Sequence, residues 1–395
     1  MLPLDCEQEF DAAREEQFFA ALPARPAVFL LESSAASAEP YLARTADLRR
    51  AAERILRPPD PASKRLNLRA IAAKIRYRIV GSKLEQSLVL YEHARQLFPR
   101  KYRDWLRVRP PALLKINLKN AYPRCYVTRR ISADGGSYFG PFPNRKFAES
   151  FADEFLNLFK IRRCQIKIRR DPAFPGCIYS EMKMCLAPCF AGCTKVEYDA
   201  EVSRVLVTLS TSGAALTEEM GREREAASAG LDFERAATLH KKIEKAETVL
   251  KGFPELARRV DELDAVILQK AAEENSIAVF VVRAGIISDP FLLRFAELSS
   301  QPRSVEEILR AQLEPPPSAP ESELGSADLS EKQNASSSAR KDFGILGEHL
   351  ALLTRWFYSK PRQGEIFFRS RDWPYRRIIR ACSRVLNPPA ETAAP

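Results

Sequence analysis

The chain has 395 residues, 45% of them hydrophobic, and a formal net charge of +11. That length suits several domains, and the apolar fraction is enough to bury real cores, which excludes an intrinsically disordered protein. No run approaches eighteen uninterrupted apolar residues and the opening "MLPLDCEQEFDAAREEQFF" is acidic, so neither a membrane span nor a signal peptide is expected.

In chain order, residues 1–22 read as a helical lead-in that ends at "LPARP". "AVFLLE" (27–32) reads as a buried strand, and "SSAASAEP" as the turn into a second strand starting at Tyr41. "ADLRRAAERIL" places Leu48, Ala52 and Ile55 on one helical face before Pro58 and Pro59 stop it, and "KLEQSLVLYEHARQLF" repeats the helical spacing at Leu84, Leu88 and Tyr91. From Leu113, "LLKINL", "RCYVTRRI" and a turn at "ADGG" predict a β-hairpin, followed by a helix over "NRKFAESFADEFLNLF". Residues 197–250 are predicted helical with a break at Gly230, Asp232 as the next N-cap and Gly252 as the stop. "DAVILQKAAEENSIAVFVVRAGIISDPFLLRF" predicts three strands, and the Pro- and Ser-rich stretch 314–342 predicts a disordered linker.

Charge is unevenly spread. Residues 41–170 hold 31 Lys+Arg against 10 Asp+Glu, whereas the remainder holds 31 against 41. With Trp105, Tyr102, Tyr122, Tyr126 and Tyr138 interleaved, so contiguous an excess points to a polyanion, nucleic acid above all.

Four of the eight cysteines fall within "CIYSEMKMCLAPCFAGC" (177–193). A reducing cytoplasm is the expected compartment, and there clustered thiols read as metal ligands rather than disulfides. Cys164, Cys177, Cys185 and Cys189 stand as C-x12-C-x7-C-x3-C, a thiolate set that suits either tetrahedral zinc or a [4Fe–4S] cluster. The lack of a paired C-x2-C knuckle favours iron–sulfur and leaves zinc open. Cys6, Cys125 and Cys382 are isolated and read as structural.

"GSYFGPFPNRKFAESFADEFLNLFKIRRC", then "PGCIY", then "CLAPC" resemble, in order and spacing, the central region of the UvrC excinuclease family of bacterial nucleotide excision repair. The resemblance implies a [4Fe–4S] cluster on Cys164, Cys177, Cys185 and Cys189, with Cys193 a bystander. "LDFERAA", within residues 220–243, resembles the UVR motif. That implies a helical hairpin over about 215–250 docking on the helicase UvrB through Leu231, Phe233, Ala236 and Ala237.

Extended to the N-terminus, the resemblance implies a GIY-YIG nuclease domain over 23–110, with Tyr41 and Arg44 as catalytic residues and Glu92 holding Mg²⁺ or Mn²⁺. The match is degenerate: Phe29 replaces the first tyrosine, Ala43 the glycine, and Ala51 falls at the arginine position, with Arg50 and Arg54 nearby. Losing one preorganised cation at a phosphoryl-transfer site costs roughly 3–6 kcal/mol in the barrier. The family's C-terminal RNase H-like nuclease and helix-hairpin-helix motifs find no counterpart in the 27 residues beyond Phe368.

The expected architecture is therefore α/β and multidomain. It comprises the lead-in (1–22), the GIY-YIG-like domain (23–110), a basic β-hairpin and Cys-rich module (111–196), a helical region with the UVR hairpin (197–252), a β-rich segment (253–313), the linker (314–342) and a small C-terminal α+β segment (343–395). The expected function is a DNA-binding repair protein with impaired or lost 3′ incision that docks on UvrB. Two alternatives stay open: an active truncated endonuclease, and a nucleic-acid-binding scaffold outside repair.

Overall fold

The computed structural model describes residues 2–34, 38–58, 66–296, 303–314 and 331–387, with the backbone alone given for 331–342. It is a mixed α/β architecture with three antiparallel sheets among the described residues.

The first sheet runs in the order Cys6–Glu9, Ala72–Ile79, Ala27–Ser33, Tyr41–Thr45. Ala27–Ser33 is its central strand, and alternation sends its side chains to opposite faces. Ala27, Phe29 and Leu31 pack with the helix Leu48–Leu56 on one side. Val28 and Leu30 pack with Leu84 and Leu88 of the helix Lys83–Leu97 on the other. Both helices start at side-chain caps, Asp47 accepting from the Arg50 amide at 2.9 Å and Ser82 from the Glu85 amide at 3.2 Å. The two anticipated strands and two anticipated helices stand here. The lead-in differs, because Cys6–Glu9 is a strand paired with Ala72–Ile79 and only Glu15–Ala21 is α-helical.

The second sheet has the order Cys125–Thr128, Ala112–Ile116, Ser137–Phe142, Arg258–Arg259. The hairpin is thus 112–116 with 125–128; "ADGG" does not close a pair but carries the chain across to the opposite edge of Ala112–Ile116. Ser137–Phe142 is buried throughout. Gly140 sits at φ 152°, where a Cβ would strike the Leu113 side chain at 2.5 Å, so the "YFGPF" strand needs glycine there. The helix Arg145–Leu156 lays Phe151 and Phe155 over this sheet.

Three helices follow, Lys195–Ser210, Ala214–Ala229 and Phe233–Lys251, the last two forming an antiparallel hairpin about Gly230. Asp232 caps the last through the Arg235 amide at 3.0 Å, and Gly252 ends it, as expected from the sequence.

In the third sheet Ser276–Arg283 pairs with Ala265–Lys270, Ile286–Ile287 and Phe291–Arg294, and Glu365–Phe368 adds beyond Ala265–Lys270. Helices Val305–Leu313 and Tyr375–Leu386 cover one face. The helix Glu331–Phe357 covers the other with Leu350, Leu353 and Trp356. Of the expected linker, 315–330 lie outside the described residues, while the backbone from Glu331 is helical. The packed half beyond Phe343 supplies the helical nucleus, and extension from a nucleus is cheap. No helix among the described residues is long and apolar enough to cross a membrane.

Candidate functional site

A cavity of about 360 Å³ opens where the strand Tyr41–Thr45, the helix Lys83–Leu97, the short helix Tyr102–Trp105 and the helix Glu331–Phe357 meet. Tyr41 and Arg44 both line it, with Arg44 Nη1 donating to Ser87 Oγ at 3.3 Å. Glu92 does not. Its Oε2 instead accepts the Leu2 amide at 2.8 Å, and its carboxyl group is hydrogen-bonded with Asp289. Burial raises its pKa, the Leu2 amide opposes the rise, and the Asp289 charge reinforces it. The structure therefore brings Tyr41 and Arg44 to one cavity and leaves Glu92 outside it. The lining contains two arginines, Arg44 and Arg355, and no carboxylate.

Tyr41 also borders a second cavity of about 1040 Å³ beside the helix Leu48–Leu56. Arg50 and Arg54 line it around Ala51. Its two carboxylates are already engaged, Asp47 as the helix cap and Glu53 with Arg57 at 3.4 Å. Phe29 lies beneath, 1% exposed and with its ring centre 6.1 Å from that of Tyr41, so no hydroxyl stands at that position.

Cys164, Cys177, Cys185 and Cys189 come from one irregular segment folded against the second sheet. Ala187 and Ala191 adopt left-handed backbone (φ 55° and 63°), which curls the "CLAPC" turn and aims the Ala187 amide at Cys185 Sγ, 3.3 Å away. Arg162 Nη1 reaches Cys164 Sγ at 3.8 Å. Burial pushes the Cys185 thiol up to about 11; the Ala187 amide opposes this, and the charges of Cys164, Cys189 and Cys177 add to it. The Cys189 thiol is likewise raised, by burial first, with the Phe190 amide opposing and the charges of Cys177 and Cys164 adding. The four thiols thus lie within one electrostatic neighbourhood. No group of three or more His, Cys, Asp or Glu side chains among the described residues takes up metal-ligating geometry, so the segment gathers the donors without presetting a cage. As a donor set, four soft sulfurs with an amide and a guanidinium directed at two of them fit a thiolate-bound centre. Cys193 and Cys125 are buried in the central core, Cys382 in the C-terminal one, and Cys6 is half-buried on the edge strand.

The basic face continues on the second sheet, where Arg129, Arg130 and Arg145 line a shallow depression and the Arg124 guanidinium lies 4.4 Å from the Tyr126 ring centre. At the hairpin tip Leu231 is 74% and Phe233 64% exposed; Ala237 is exposed and Ala236 half-buried. Leu231 holds φ 58°, a left-handed conformation that a leucine adopts only under strain.

The family model for the UvrC/Cho excinuclease middle domain matches residues 112–208, the span of the second sheet, its helix and the cysteine segment. Residues 112–208 are thus similar to a UvrC/Cho middle domain. Relatives named UvrABC system protein C extend the likeness. The protein of Dehalococcoides mccartyi is 28% identical over 272 residues, 67% of this chain and 44% of its own. That of Nitratidesulfovibrio vulgaris is 33% identical over 181 residues, 45% and 26%. The Clostridium tetani protein is 24% identical over 295 residues, 73% and 47%. The chain spans less than half the length of these UvrC relatives. No solved structure matches it.

Of the cavity lining, the sequence singled out Tyr41, Arg44 and Trp105 but not Arg355, Ser87 or Leu352. Arg355 and Leu352 join the cavity only through the docking of the late helix on the early sheet, which no local pattern announces, and Ser87, on the helix Lys83–Leu97, is marked only by its bond to Arg44.

Proposed function

We propose that the chain is a UvrC-type DNA-binding protein of nucleotide excision repair in which the N-terminal third has lost or weakened 3′ incision, and which docks on UvrB through the hairpin 214–251. The observation that carries the loss of incision is the displacement of Glu92 from a cavity lined by two arginines and no carboxylate. A divalent ion needs hard oxygen ligands, and a cationic, carboxylate-free wall repels it. The docking half is supported by the exposed Leu231 and Phe233, large apolar groups that a stable surface normally hides. Cys164, Cys177, Cys185 and Cys189 would hold a [4Fe–4S] cluster, with zinc as the alternative; when bound, the centre supplies the positive charge that keeps four thiolates ionised.

Purified protein with Mg²⁺ or Mn²⁺ is expected to leave supercoiled plasmid intact while retaining UvrB in a pull-down, with Phe233→Ala releasing it. Plasmid nicking abolished by Glu92→Gln would establish the active-endonuclease alternative instead. Failure of the native chain to retain UvrB would favour a scaffold outside repair. Anaerobic purification is expected to yield brown protein, and a colourless zinc-loaded preparation would replace the cluster assignment.

A further inference from the structure

The cavity between the first sheet and the helix Glu331–Phe357 has a composition that the loss of incision does not explain. Arg44 enters from the strand and is anchored to Ser87 Oγ. Arg355 enters from a helix more than three hundred residues later, fixed by donating from Nη2 to the carbonyls of Leu106 (3.2 Å) and Arg107 (3.1 Å). Neither guanidinium has a carboxylate partner among the described residues. Desolvation and the nearby charge of Arg44 both lower the Arg355 pKa, the signature of two like charges held together without a counter-ion. The floor is apolar, with Leu90 and Leu352 7% and 3% exposed. On the rim stands Trp105, 47% exposed and braced edge-on by Phe98 at 5.7 Å.

Paired cations over an apolar floor beside an exposed indole suit a ligand with an anionic group attached to a flat ring. We propose that this cavity binds an unpaired nucleotide of a nucleic-acid strand, its backbone phosphate between Arg44 and Arg355 and its base stacked on Trp105. Base stacking on an aromatic ring is worth about 1–3 kcal/mol and is available only where the base is out of a duplex. A fully paired helix hides its bases and would reach the arginines alone. The inference shares with the repair reading only the class of ligand.

The protein carries its own reporter. Of three tryptophans, Trp356 and Trp373 are each 5% exposed, so quenching by an added ligand reads Trp105. Titration of the full chain with a twelve-residue oligothymidylate is expected to quench fluorescence, and Trp105→Phe should abolish the quench. Arg44→Gln and Arg355→Gln should each weaken binding about three- to tenfold and lower the slope of log K against log salt by about 0.7. Because Arg355→Gln also removes two carbonyl contacts, its melting temperature is measured alongside, and Arg44→Gln, an exposed position, keeps the test sharp if Arg355→Gln misfolds. An oligonucleotide that binds without touching Trp105 fluorescence, or with equal affinity in Arg44→Gln, overturns the assignment. Thymidine monophosphate that quenches at concentrations where the oligomer does not would overturn the choice of a strand over a free nucleotide. Affinity for a labelled duplex, read separately, reports the basic face of the second sheet, so its loss would sink the repair reading and leave this one standing.

Discussion

Glu348 is the carboxylate on which the N-terminal and C-terminal parts of the chain converge. It is 2% exposed, yet Tyr91 donates to it at 2.6 Å, Tyr102 at 2.9 Å and Arg103 Nε at 2.6 Å. A buried charge with three donors is tolerable; the donors without it are not, since each orphaned hydroxyl keeps its desolvation penalty of about 1–3 kcal/mol. Glu348→Ala is therefore expected to lower stability by about 3 kcal/mol, read as a fall in the urea midpoint at unchanged slope. A loss below about 0.5 kcal/mol would mean the network carries nothing. Next to it His349 accepts the Ile287 amide on Nδ1 at 3.1 Å and is held neutral by burial, its pKa pushed down to about 4. The third sheet is tied to the same junction by a group that stays uncharged at neutral pH.

Among the elements, the hairpin 214–251 is where stability and display pull apart. Leu239, Ile243 and Ala246 are buried along the second helix, while the tip residues face outward. Leu231 in left-handed backbone costs about 1–2 kcal/mol that a glycine would not. Leu231→Gly is expected to raise the melting temperature by a few degrees and at the same time weaken UvrB retention, checked by calorimetry and pull-down on one preparation. Much of this element level was legible. "AVFLLE" announced a buried strand by unbroken apolarity, and Asp232 and Gly252 marked the helix ends. Ala72–Ile79 was not anticipated, although Ile75, Tyr77 and Ile79 alternate with Lys74, Arg76 and Arg78 in strand fashion; three basic residues in eight look like a solvated run until Glu7 and Glu32 are seen to pair with Lys74 and Arg76 across the sheet, and Asp5 with Arg78. Cys6–Glu9 was illegible for a different reason. An edge strand of four residues with two acids has no pattern of its own and exists because Ala72–Ile79 offers it a free edge.

Over the whole molecule one core runs through segments far apart in sequence. Val28 and Leu88 of the first sheet and its helix, Leu113 and Tyr138 of the second sheet, and Ile267, Phe280, Leu350 and Trp356 of the third sheet and its cover belong to the same buried cluster. Parts that share a core should unfold together. A chain ended after residue 342 exposes that cluster and removes the Glu365–Phe368 strand. It is expected to lose the cooperative transition in far-UV circular dichroism melting, and a sharp transition at the full-length temperature would show that the parts are independent. The contribution of Arg355 to the cavity has a consequence of the same reach. Because one wall is owned by the early sheet and the other by the late helix, anything seated between the two guanidiniums acts as a clasp: occupancy and closure of the molecule become reciprocal, and whatever loosens the late helix must also eject the guest.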